Sequence, residues 1–289
     1  MAELLGRCTF PPVGTAVTCA VSGGADSSAL LVLACAAGCV PTAIHVDHGL
    51  RTGSAAEAAV VARLAQRLGV AFEARRVAVA DGPNLEARAR AARWSVLPAG
   101  TLTGHTLDDQ AETVLVNLLR GAGSTGLAGM RSAGHPLLAV RRAETRALCA
   151  ALGIDVVEDP SNTDRRHLRN RVRAELLPLL DDLAHRDLAP VLARQADVLR
   201  AEDDLLDELA AGLDPTDARG LATAPVPLAR RAVRRWLRGE HPPDAATVER
   251  VLDVARGAAV ACDVGGGRRV TRHAQRLRLV TPAAHKSPT

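Results

Sequence analysis

The sequence predicts an α/β protein whose first part is a doubly wound parallel sheet, followed by a helical linker and a small, mostly α-helical C-terminal domain. Short apolar runs typical of buried strands alternate with helical patterns of about ten to fifteen residues, as βαβ units require. A serine-glycine-glycine turn at residues 22–24 joins the first such run to the first helix. The 289 residues exceed the usual domain size of about 100 to 200 residues, so we expect two domains.

The elements of the first domain follow from apolar periodicity and from residues that favour helix starts. Strands are predicted at residues 16–21, 42–46, 72–79 and 101–104. Helices are predicted at residues 27–37, 54–68, 85–94, 108–120 and 143–152. Ser54 and Asn84 stand at helix starts, where their side chains accept hydrogen bonds from backbone amides. The carboxyl ends of the parallel strands form the edge where such sheets bind ligands.

The second half of the chain differs from the first in the placement of its prolines and glycines and in its charge. We predict domains at 1–186 and 214–289, joined by a helical linker at 187–213, with a hairpin at 265–267 near the end. From Asp214 onward there are fourteen basic and seven acidic residues, a net charge of +7. The whole chain carries +4, so the preceding part carries −3. A basic domain suits a polyanion held by its phosphates, and a solvated basic surface is the alternative.

The stretch Ser22-Gly23-Gly24-Ala25-Asp26-Ser27 predicts a phosphate-binding turn between the first strand and the first helix. The helix start directs backbone N–H groups and the positive end of the helix dipole into one concavity. Gly23 and Gly24 remove Cβ atoms where the backbone must approach a ligand, and the hydroxyls of Ser22 and Ser27 add hydrogen-bond donors. The lysine-containing pattern of a Walker A loop is absent from the sequence.

Asp26 is the unexpected member of this turn, because a carboxylate repels phosphate unless a divalent cation lies between them. It therefore points to phosphates that carry bound Mg²⁺, and we take Asp26 as the candidate metal ligand. The alternative is a plain serine-glycine turn in which Asp26 caps the helix.

Three further polar blocks are predicted to reach the same edge of the sheet, at residues 45–51, 105–113 and 159–173. Asp109 and Glu112 are three residues apart near a helix start, so they share one helical face. The alternative is that they are acids favoured by the helix dipole. Arg169 and Arg173 also share a face and suit phosphates. A solvated basic face is as good an explanation for the neighbouring Arg165, Arg166 and Arg171.

The remaining composition limits the compartment and the metal chemistry. Six cysteines form no C-x-x-C pair, and His48 and His105 have no partners at zinc spacing. Apolar runs stay well short of the ~20 residues that span a membrane, and the N-terminus lacks the pattern of a signal peptide. We therefore expect a cytoplasmic protein with reduced thiols and no membrane partner.

Taken together, these blocks resemble the tRNA(Ile)-lysidine synthetases, members of the N-type ATP pyrophosphatases. The turn at 22–27 resembles the pyrophosphate loop of that superfamily. The other segments that carry the resemblance are His-Val-Asp-His-Gly-Leu-Arg at 45–51, Asn-Leu-Glu-Ala-Arg at 84–88, Gly-His-x-x-Asp-Asp-Gln-Ala-Glu-Thr at 104–113, Leu-Arg-Gly-Ala-Gly-Ser at 119–124, and Glu-Asp-Pro-Ser-Asn with Arg-Asn-x-x-Arg within 158–173. The match is close over about the first 180 residues and only architectural beyond them, where the chain looks like a short form with one small tRNA-contacting domain.

The resemblance implies an adenine nucleotide alpha hydrolase-like fold and a two-step reaction. ATP adenylates the C2 oxygen of the first anticodon cytidine of tRNA-Ile with a CAU anticodon, with loss of pyrophosphate, and the amine of L-lysine then displaces AMP. It implies that Asp26 binds Mg²⁺ and that ATP contacts the first strand, the turn that follows it and the second strand, at Ala20, Ser22, Gly23, Gly24, Ala25, Asp26, Ser27, His45 and Val46.

For the second substrate, the resemblance implies that Asp109 and Glu112 hold lysine and that one of them takes its proton. It implies that Arg169 and Arg173 contact the adenylate phosphate or the tRNA backbone, with Arg88 as a weaker candidate. We expect Asp26, Asp109, Glu112 and Arg169 to be the catalytic residues.

The alternatives are another ATP-dependent tRNA-modifying enzyme of the same superfamily, or a tRNA-binding relative without activity. A cluster-dependent thiolase would need cysteine pairs, and a glutamine-dependent relative would need an amidotransferase domain. Retention of Asp26, Asp109 and Glu112 argues against a relative that only binds, since binding does not require carboxylates beside a polyanion. The resemblance suggests a homodimer, which nothing in the residues demands.

Overall fold

The structure is a computed structural model that describes residues 1–47, 49, 54–78, 85–158, 164–239 and 243–281. The chain forms two compact units, Met1–Val198 and Leu199–Thr289. Several residues of the sequence analysis lie outside the described ranges: His48, Leu50, Arg51, Asn84 and residues 159–162.

Unit 1 is built on a parallel sheet of four strands in the order β3-β2-β1-β4. The strands are β1 (Ala16–Ala20), β2 (Val40–Asp47), β3 (Ala71–Arg76) and β4 (Leu102–Thr103). Because β1 is flanked by β2 on one side and by β4 on the other, the strand order reverses beside β1. The carboxyl end of β1 is therefore a topological switch point, where ligands of open α/β sheets bind.

The helices of unit 1 follow the predicted alternation. Their bounds are α1 (Ala2–Leu5), α2 (Ala25–Ala36), α3 (Ser54–Leu68), α4 (Leu85–Val96), α5 (Leu107–Leu119), α6 (Ser124–Leu127), α7 (Arg142–Ala151), α8 (Leu168–Arg171) and α9 (Leu177–Ala184). A π-helical segment, Val172–Leu176, connects α8 to α9. The doubly wound α/β fold class is confirmed.

Helix α2 is the centre of the unit 1 core. Its residues Leu30, Leu31 and Leu33 are fully buried, and it packs among Cys19 of β1 and Leu148 of α7. A helix that is apolar on all sides must be enclosed, which fixes its first turn rigidly at the end of β1.

The last strand of this sheet is shorter than the prediction of residues 101–104. At Gly104 the chain comes so close to α2 that a Cβ atom would lie 2.6 Å from the backbone oxygen of Asp26. The strand ends at Thr103 because the chain turns there to pass the start of α2.

Helix α10 (Ala189–Ala211) covers most of the predicted linker, and the boundary between the two units falls inside it. Within the described ranges, no helix has both the length and the apolar character needed to cross a membrane.

Unit 2 has its own core, in which Leu237, Val251, Leu252, Val270 and Leu277 are buried. It contains α11 (Ala218–Thr223), α12 (Val226–Trp236) and α13 (Ala245–Arg256), and an antiparallel sheet of β5 (Ala261–Asp263), β6 (Arg269–His273) and β7 (Arg276–Val280). The predicted glycine hairpin joins β5 to β6.

Strand β7 was not anticipated. The turn that precedes it, Ala274-Gln275, adopts left-handed φ angles of 46° and 63°. It lacks the glycine or asparagine that usually marks such a turn in a sequence.

Candidate active site

The glycine turn lies between β1 and α2, as the sequence predicts. Gly23 has a φ of +91°, and a Cβ atom there would lie 2.9 Å from a methyl carbon of Val157. The backbone N–H of Val157 donates to the Gly23 carbonyl at 2.9 Å, which fixes the turn. Glycine is required here both by the φ angle and by the neighbour.

The polar groups of the turn form a small cradle. The hydroxyl of Ser27 donates to the Gly24 carbonyl at 2.9 Å and lies 3.1 Å from the hydroxyl of Ser22, which is exposed. The N-cap residue of α2 is Gly24, which has no side chain to cap the helix, so the first amide groups of α2 remain available to an anion. Serine hydroxyls and uncapped amides are the donors that bind phosphate.

Asp26 lies in the first turn of α2 and is held in place from α7. The hydroxyl of Thr145 donates to its carboxylate, and Nε of Arg142 lies 3.5 Å from its other oxygen. Burial raises the pKa of Asp26, and the bond from Thr145 opposes that rise.

The residues around Asp26 fit a cation held jointly with phosphates. A carboxylate oxygen is a ligand that Mg²⁺ prefers, and Mg²⁺ commonly takes one or two carboxylates together with substrate phosphates. Among the described residues, no group of three or more His, Cys, Asp and Glu side chains forms a complete metal site. Asp26 therefore fits Mg²⁺ only beside a bound triphosphate.

Helix α5 begins with a capping box that uses Asp109. One carboxylate oxygen, Oδ2, accepts from the backbone N–H and the hydroxyl of Thr106, both at 2.9 Å. The other oxygen, Oδ1, accepts from Arg142 at 2.9 Å and from Arg169 at 3.1 Å. The same side chain thus serves as a helix cap and faces a cluster of positive charge.

Glu112 is fully buried and is surrounded by three arginines. Oε1 accepts from Arg142 at 3.0 Å and from Arg173 at 2.7 Å, and Oε2 accepts from Arg169 at 2.9 Å and from Arg173 at 3.1 Å. Burying a carboxylate is costly unless cations and hydrogen bonds compensate it, and here all of its acceptor directions are used.

Asp26, Asp109, Glu112, Arg142, Arg169 and Arg173 form what we call the charge cluster. It joins three carboxylates to three guanidinium groups, so its formal charge is zero. Burial alone would raise the pKa of Asp109, but Arg142 and Arg169 lower it to about 2. The pKa of Arg142 is raised by the same carboxylates, although burial opposes that rise.

Arg142 is not among the site residues predicted from the sequence. This residue touches Asp26, Asp109 and Glu112 at once, and it connects the turn after β1 with the start of α5. A signal was present, because arginine is unfavourable in the first turn of a helix, where the dipole is positive. Two consecutive arginines at the start of α7 therefore indicate that carboxylates lie nearby. The guanidinium group of Arg141 lies 2.9 Å from a carboxylate oxygen of Asp108.

The other predicted residues are distributed around this centre. His45, at the carboxyl end of β2, is buried, and its Nδ1 lies 3.0 Å from the Val21 carbonyl. Within the described chain its buried Nε2 finds no hydrogen-bond partner, which leaves an acceptor for a ligand. Ala20 and Val46 are half-buried at the ends of β1 and β2. Arg88 is half-buried on α4, whereas the arginines of the cluster come from α7, α8 and the π-helical segment.

His105 lies beside the start of α5 in a small hydrogen-bonded group. The hydroxyl of Thr103 lies 2.6 Å from Nδ1 of both His105 and His135. The two rings stack edge to face at 4.8 Å.

Comparison with known proteins places the chain in a family. A model of the PP-loop domain matches residues 4–180, and a model of the TilS substrate binding domain matches residues 217–278. A tRNA(Ile)-lysidine synthase of Nocardia farcinica is 42% identical over 96% of this chain and 95% of its own length. The chain belongs to the tRNA(Ile)-lysidine synthase family. A second synthase of this name, from Mycobacterium leprae, is 44% identical over 75% of this chain and 73% of its own.

Solved structures confirm the fold independently of close sequence similarity. The U34-tRNA thiolase NcsA from Methanococcus maripaludis, with its [4Fe-4S] cluster, is 17% identical and matches 68% of this chain and 76% of its own with a TM-score of 0.54. That likeness shows the fold alone. Membership of the tRNA(Ile)-lysidine synthase family, as the sequence motifs suggest, is confirmed.

Proposed function

We propose that this protein uses ATP to join L-lysine to C2 of the first anticodon cytidine of tRNA-Ile with a CAU anticodon, giving lysidine, AMP and pyrophosphate. The observation that carries the proposal is the position of Arg142. Its guanidinium group contacts the carboxylate of the phosphate turn and the carboxylate pair of α5 together. A nucleotide site and a site for a cationic substrate thus share one centre.

In the first step, the turn at residues 22–27 binds the β and γ phosphates of ATP. The donors are the hydroxyls of Ser22 and Ser27 and the uncapped amides of α2. Asp26 would hold Mg²⁺ against these phosphates, and the ion would neutralise charge that builds up as pyrophosphate leaves. His45 and Val46 line the nucleoside side, where Nε2 of His45 can accept a hydrogen bond.

The cytidine oxygen attacks the α phosphorus in line with the departing pyrophosphate. Arg142 and Arg169 stabilise the phosphate charge, because guanidinium groups pair with phosphate through two parallel hydrogen bonds. The product is a cytidine adenylated at its C2 oxygen, with AMP as the next leaving group.

In the second step, the lysine amine attacks C2 and AMP departs. Asp109 and Glu112 hold the positive ends of lysine. The amine must lose a proton before it attacks, since its ordinary pKa is about 10.4. Despite burial, Arg142 and Arg169 lower the pKa of Asp109 to about 2, so Asp109 only positions lysine while they are in place. One of the two carboxylates takes the amine proton when the arginines pair with phosphate instead.

The partner assignments are part of the same proposal. The basic C-terminal unit, which contains the match to the TilS substrate binding domain, contacts the tRNA backbone. The protein acts in the cytoplasm, with a homodimer as the assembly that family resemblance suggests.

The second candidate is another ATP-dependent tRNA-modifying enzyme, favoured only by the fold shared with the thiolase NcsA. The described cysteines, Cys8, Cys19, Cys35, Cys39, Cys149 and Cys262, are all free thiols. The charge cluster contains none of them, and paired carboxylates suit a cationic amine better than a sulfur donor.

The test is ATP–pyrophosphate exchange together with incorporation of labelled lysine. We expect exchange to require tRNA-Ile with a CAU anticodon, and labelled lysine to enter the tRNA only when ATP is present. The initiator tRNA-Met, which shares the anticodon, is the control and should remain unlabelled. Exchange without lysine incorporation would reject ligation and favour a different modification.

A further inference from the structure

The charge cluster is complete without any substrate. Asp109 and Glu112, which the proposed function assigns to lysine, are already paired with Arg142, Arg169 and Arg173. A lysine ammonium could enter only by displacing a guanidinium group or by adding a fourth positive charge. Either change is costly in a buried site, because an unpaired charge there is not compensated by water.

A bound nucleotide changes this balance. The phosphate turn contains Asp26, and Arg142 reaches from Asp26 to the α5 carboxylates. A phosphate in the turn offers the guanidinium groups an anionic partner with matching geometry. Each arginine that moves to a phosphate leaves carboxylate oxygens without their cation, and an ammonium can then replace it.

The three arginines differ in how easily they can move. Arg142 is largely buried and touches all three carboxylates, whereas the side chains of Arg169 and Arg173 are each about one third exposed. Arg173 belongs to the π-helical segment, and such segments are frequent at functional sites. Arg169 and Arg173 are therefore the mobile members, and Arg142 is the bridge that senses the phosphate.

We propose that Arg169 and Arg173 occupy the lysine carboxylates until nucleotide phosphates, which also contact Arg142, draw them away, so that nucleotide binding creates the lysine site. This inference rests on the proposed function and adds an order of binding to it. ATP binds first and lysine second, which prevents lysine from occupying the centre before the cytidine is activated. By linkage, lysine must also tighten nucleotide binding by the same factor.

The experiment measures the affinity of labelled lysine for the full chain by equilibrium dialysis, with and without Mg²⁺ and α,β-methylene-ATP. We expect the nucleotide analogue to tighten lysine binding by at least about tenfold, within the usual range of coupling between sites. The reverse titration, nucleotide affinity with and without lysine, should show an equal factor.

Two matched variants distinguish the displacement of cluster arginines by nucleotide from a general effect of substitution on packing. Arg173→Met removes one positive charge from the cluster, so lysine should bind without nucleotide and the enhancement should fall to less than about threefold. Arg171→Met is the control, because Arg171 is exposed at the end of α8, two residues before Arg173, and pairs with Glu175 outside the cluster. It should keep the full enhancement.

Equal lysine affinity with and without nucleotide in the unmodified chain would overturn the proposal, as would an unchanged enhancement in Arg173→Met. Incorporation of lysine into tRNA is measured in parallel. If incorporation persists while the enhancement is missing, the order of binding is wrong and the function stands. If tRNA never receives lysine, the proposed function itself is rejected.

Discussion

At the scale of single residues, Glu112 shows how the site and the fold depend on each other. Its carboxylate is fully buried and accepts hydrogen bonds from three arginines that lie 30 to 61 positions away in the sequence. Each arginine in turn needs that carboxylate. The group is therefore stable only as a whole, because removing one charge leaves a buried charge of opposite sign without compensation.

The first prediction concerns this dependence. Glu112→Gln keeps the shape of the side chain but leaves three guanidinium groups with two carboxylates, so we expect a loss of about 3 kcal/mol in unfolding free energy. Urea denaturation at neutral pH measures it. Glu175→Gln is the control, since Glu175 pairs with the exposed Arg165 and Arg171 and should change stability by less than about 0.5 kcal/mol. Similar losses in both variants would show that the cluster is not under this electrostatic constraint.

The second prediction concerns acid. The pKa of Asp109 falls from 3.8 to about 2 on folding, because Arg142 and Arg169 outweigh the effect of burial. A lowered carboxyl pKa stabilises the folded state above the unfolded pKa and loses that contribution as pH falls through the folded value. We therefore expect about 2 kcal/mol to be lost between about pH 4 and pH 2.

The measurement is unfolding free energy against pH for the unmodified chain and for Asp109→Asn. The pKa of Asp26 is raised by burial and also by the charge of Asp109, so Asp26 acts in the opposite direction, and it does so more weakly in Asp109→Asn. The unmodified chain should show the steeper loss below about pH 4. Parallel curves would mean that Asp109 has no such coupling.

At this scale the sequence predicts some residues well and others not at all. The serine-glycine turn is local, so spacing alone indicates its place between a strand and a helix. Asp109 and Glu112 share a face because they are three residues apart. Their partners come from other elements, and no local pattern indicates which arginine will reach them. The position of Arg142 in the first turn of α7 is the one signal that reasoning about helix dipoles would have supplied.

At the scale of elements, the close approach of the chain after β4 to α2 holds the site together. Gly104 lies against the backbone of Asp26 and Ser27, in the first turn of the helix that we propose binds phosphate. The sequence predicts strand β4 from its apolar pattern but places its end at residue 104, because the contact that ends it is made with a distant helix. Strand β7 was not predicted, because the turn before it contains no glycine.

The third prediction tests that approach. Gly104→Ala places a Cβ atom 2.6 Å from a backbone oxygen, so α2 or the strand end must shift. We expect a loss of about 1 to 3 kcal/mol in unfolding free energy, as for other overpacked positions, and a weaker affinity for ATP. Urea denaturation and nucleotide titration measure the two effects.

Gly123→Ala is the matched control, because a Cβ atom at Gly123 meets nothing within 4 Å and its φ is −79°. It should be close to neutral in both measurements. If Gly104→Ala is equally neutral, the start of α2 is not held by this contact.

At the scale of the whole molecule, charge is divided between the two halves of the chain, with −3 before Asp214 and +7 from there onward. The basic part shows no aromatic stacking platform, as it contains Trp236 and no other aromatic residue. Its arginines divide into two kinds. Some are paired, as Arg230 is with Glu249 and Arg256 with Asp253. Others are exposed and, within the described ranges, make no ion pair.

The last prediction concerns the exposed kind. Arg234 and Arg238 are exposed, four residues apart at the carboxyl end of α12, and the guanidinium of Arg268 lies near Gly239 beside them. If this face binds the tRNA backbone, each lost contact to phosphate weakens binding to all sequences and reduces the dependence on salt. The variant Arg234→Gln with Arg238→Gln should bind tRNA about tenfold more weakly, with a slope of log affinity against log salt smaller by about 2.

Filter binding of the full chain at several salt concentrations measures both quantities. Arg230→Gln with Arg256→Gln is the control, because it removes the same charge from arginines that are already paired with carboxylates. It should leave the slope nearly unchanged. If both double variants lose affinity and slope equally, net charge alone attracts the tRNA. A face at the end of α12 contributes specifically only if the slope changes in the first variant and not in the second, since release of counterions requires direct contact with phosphates.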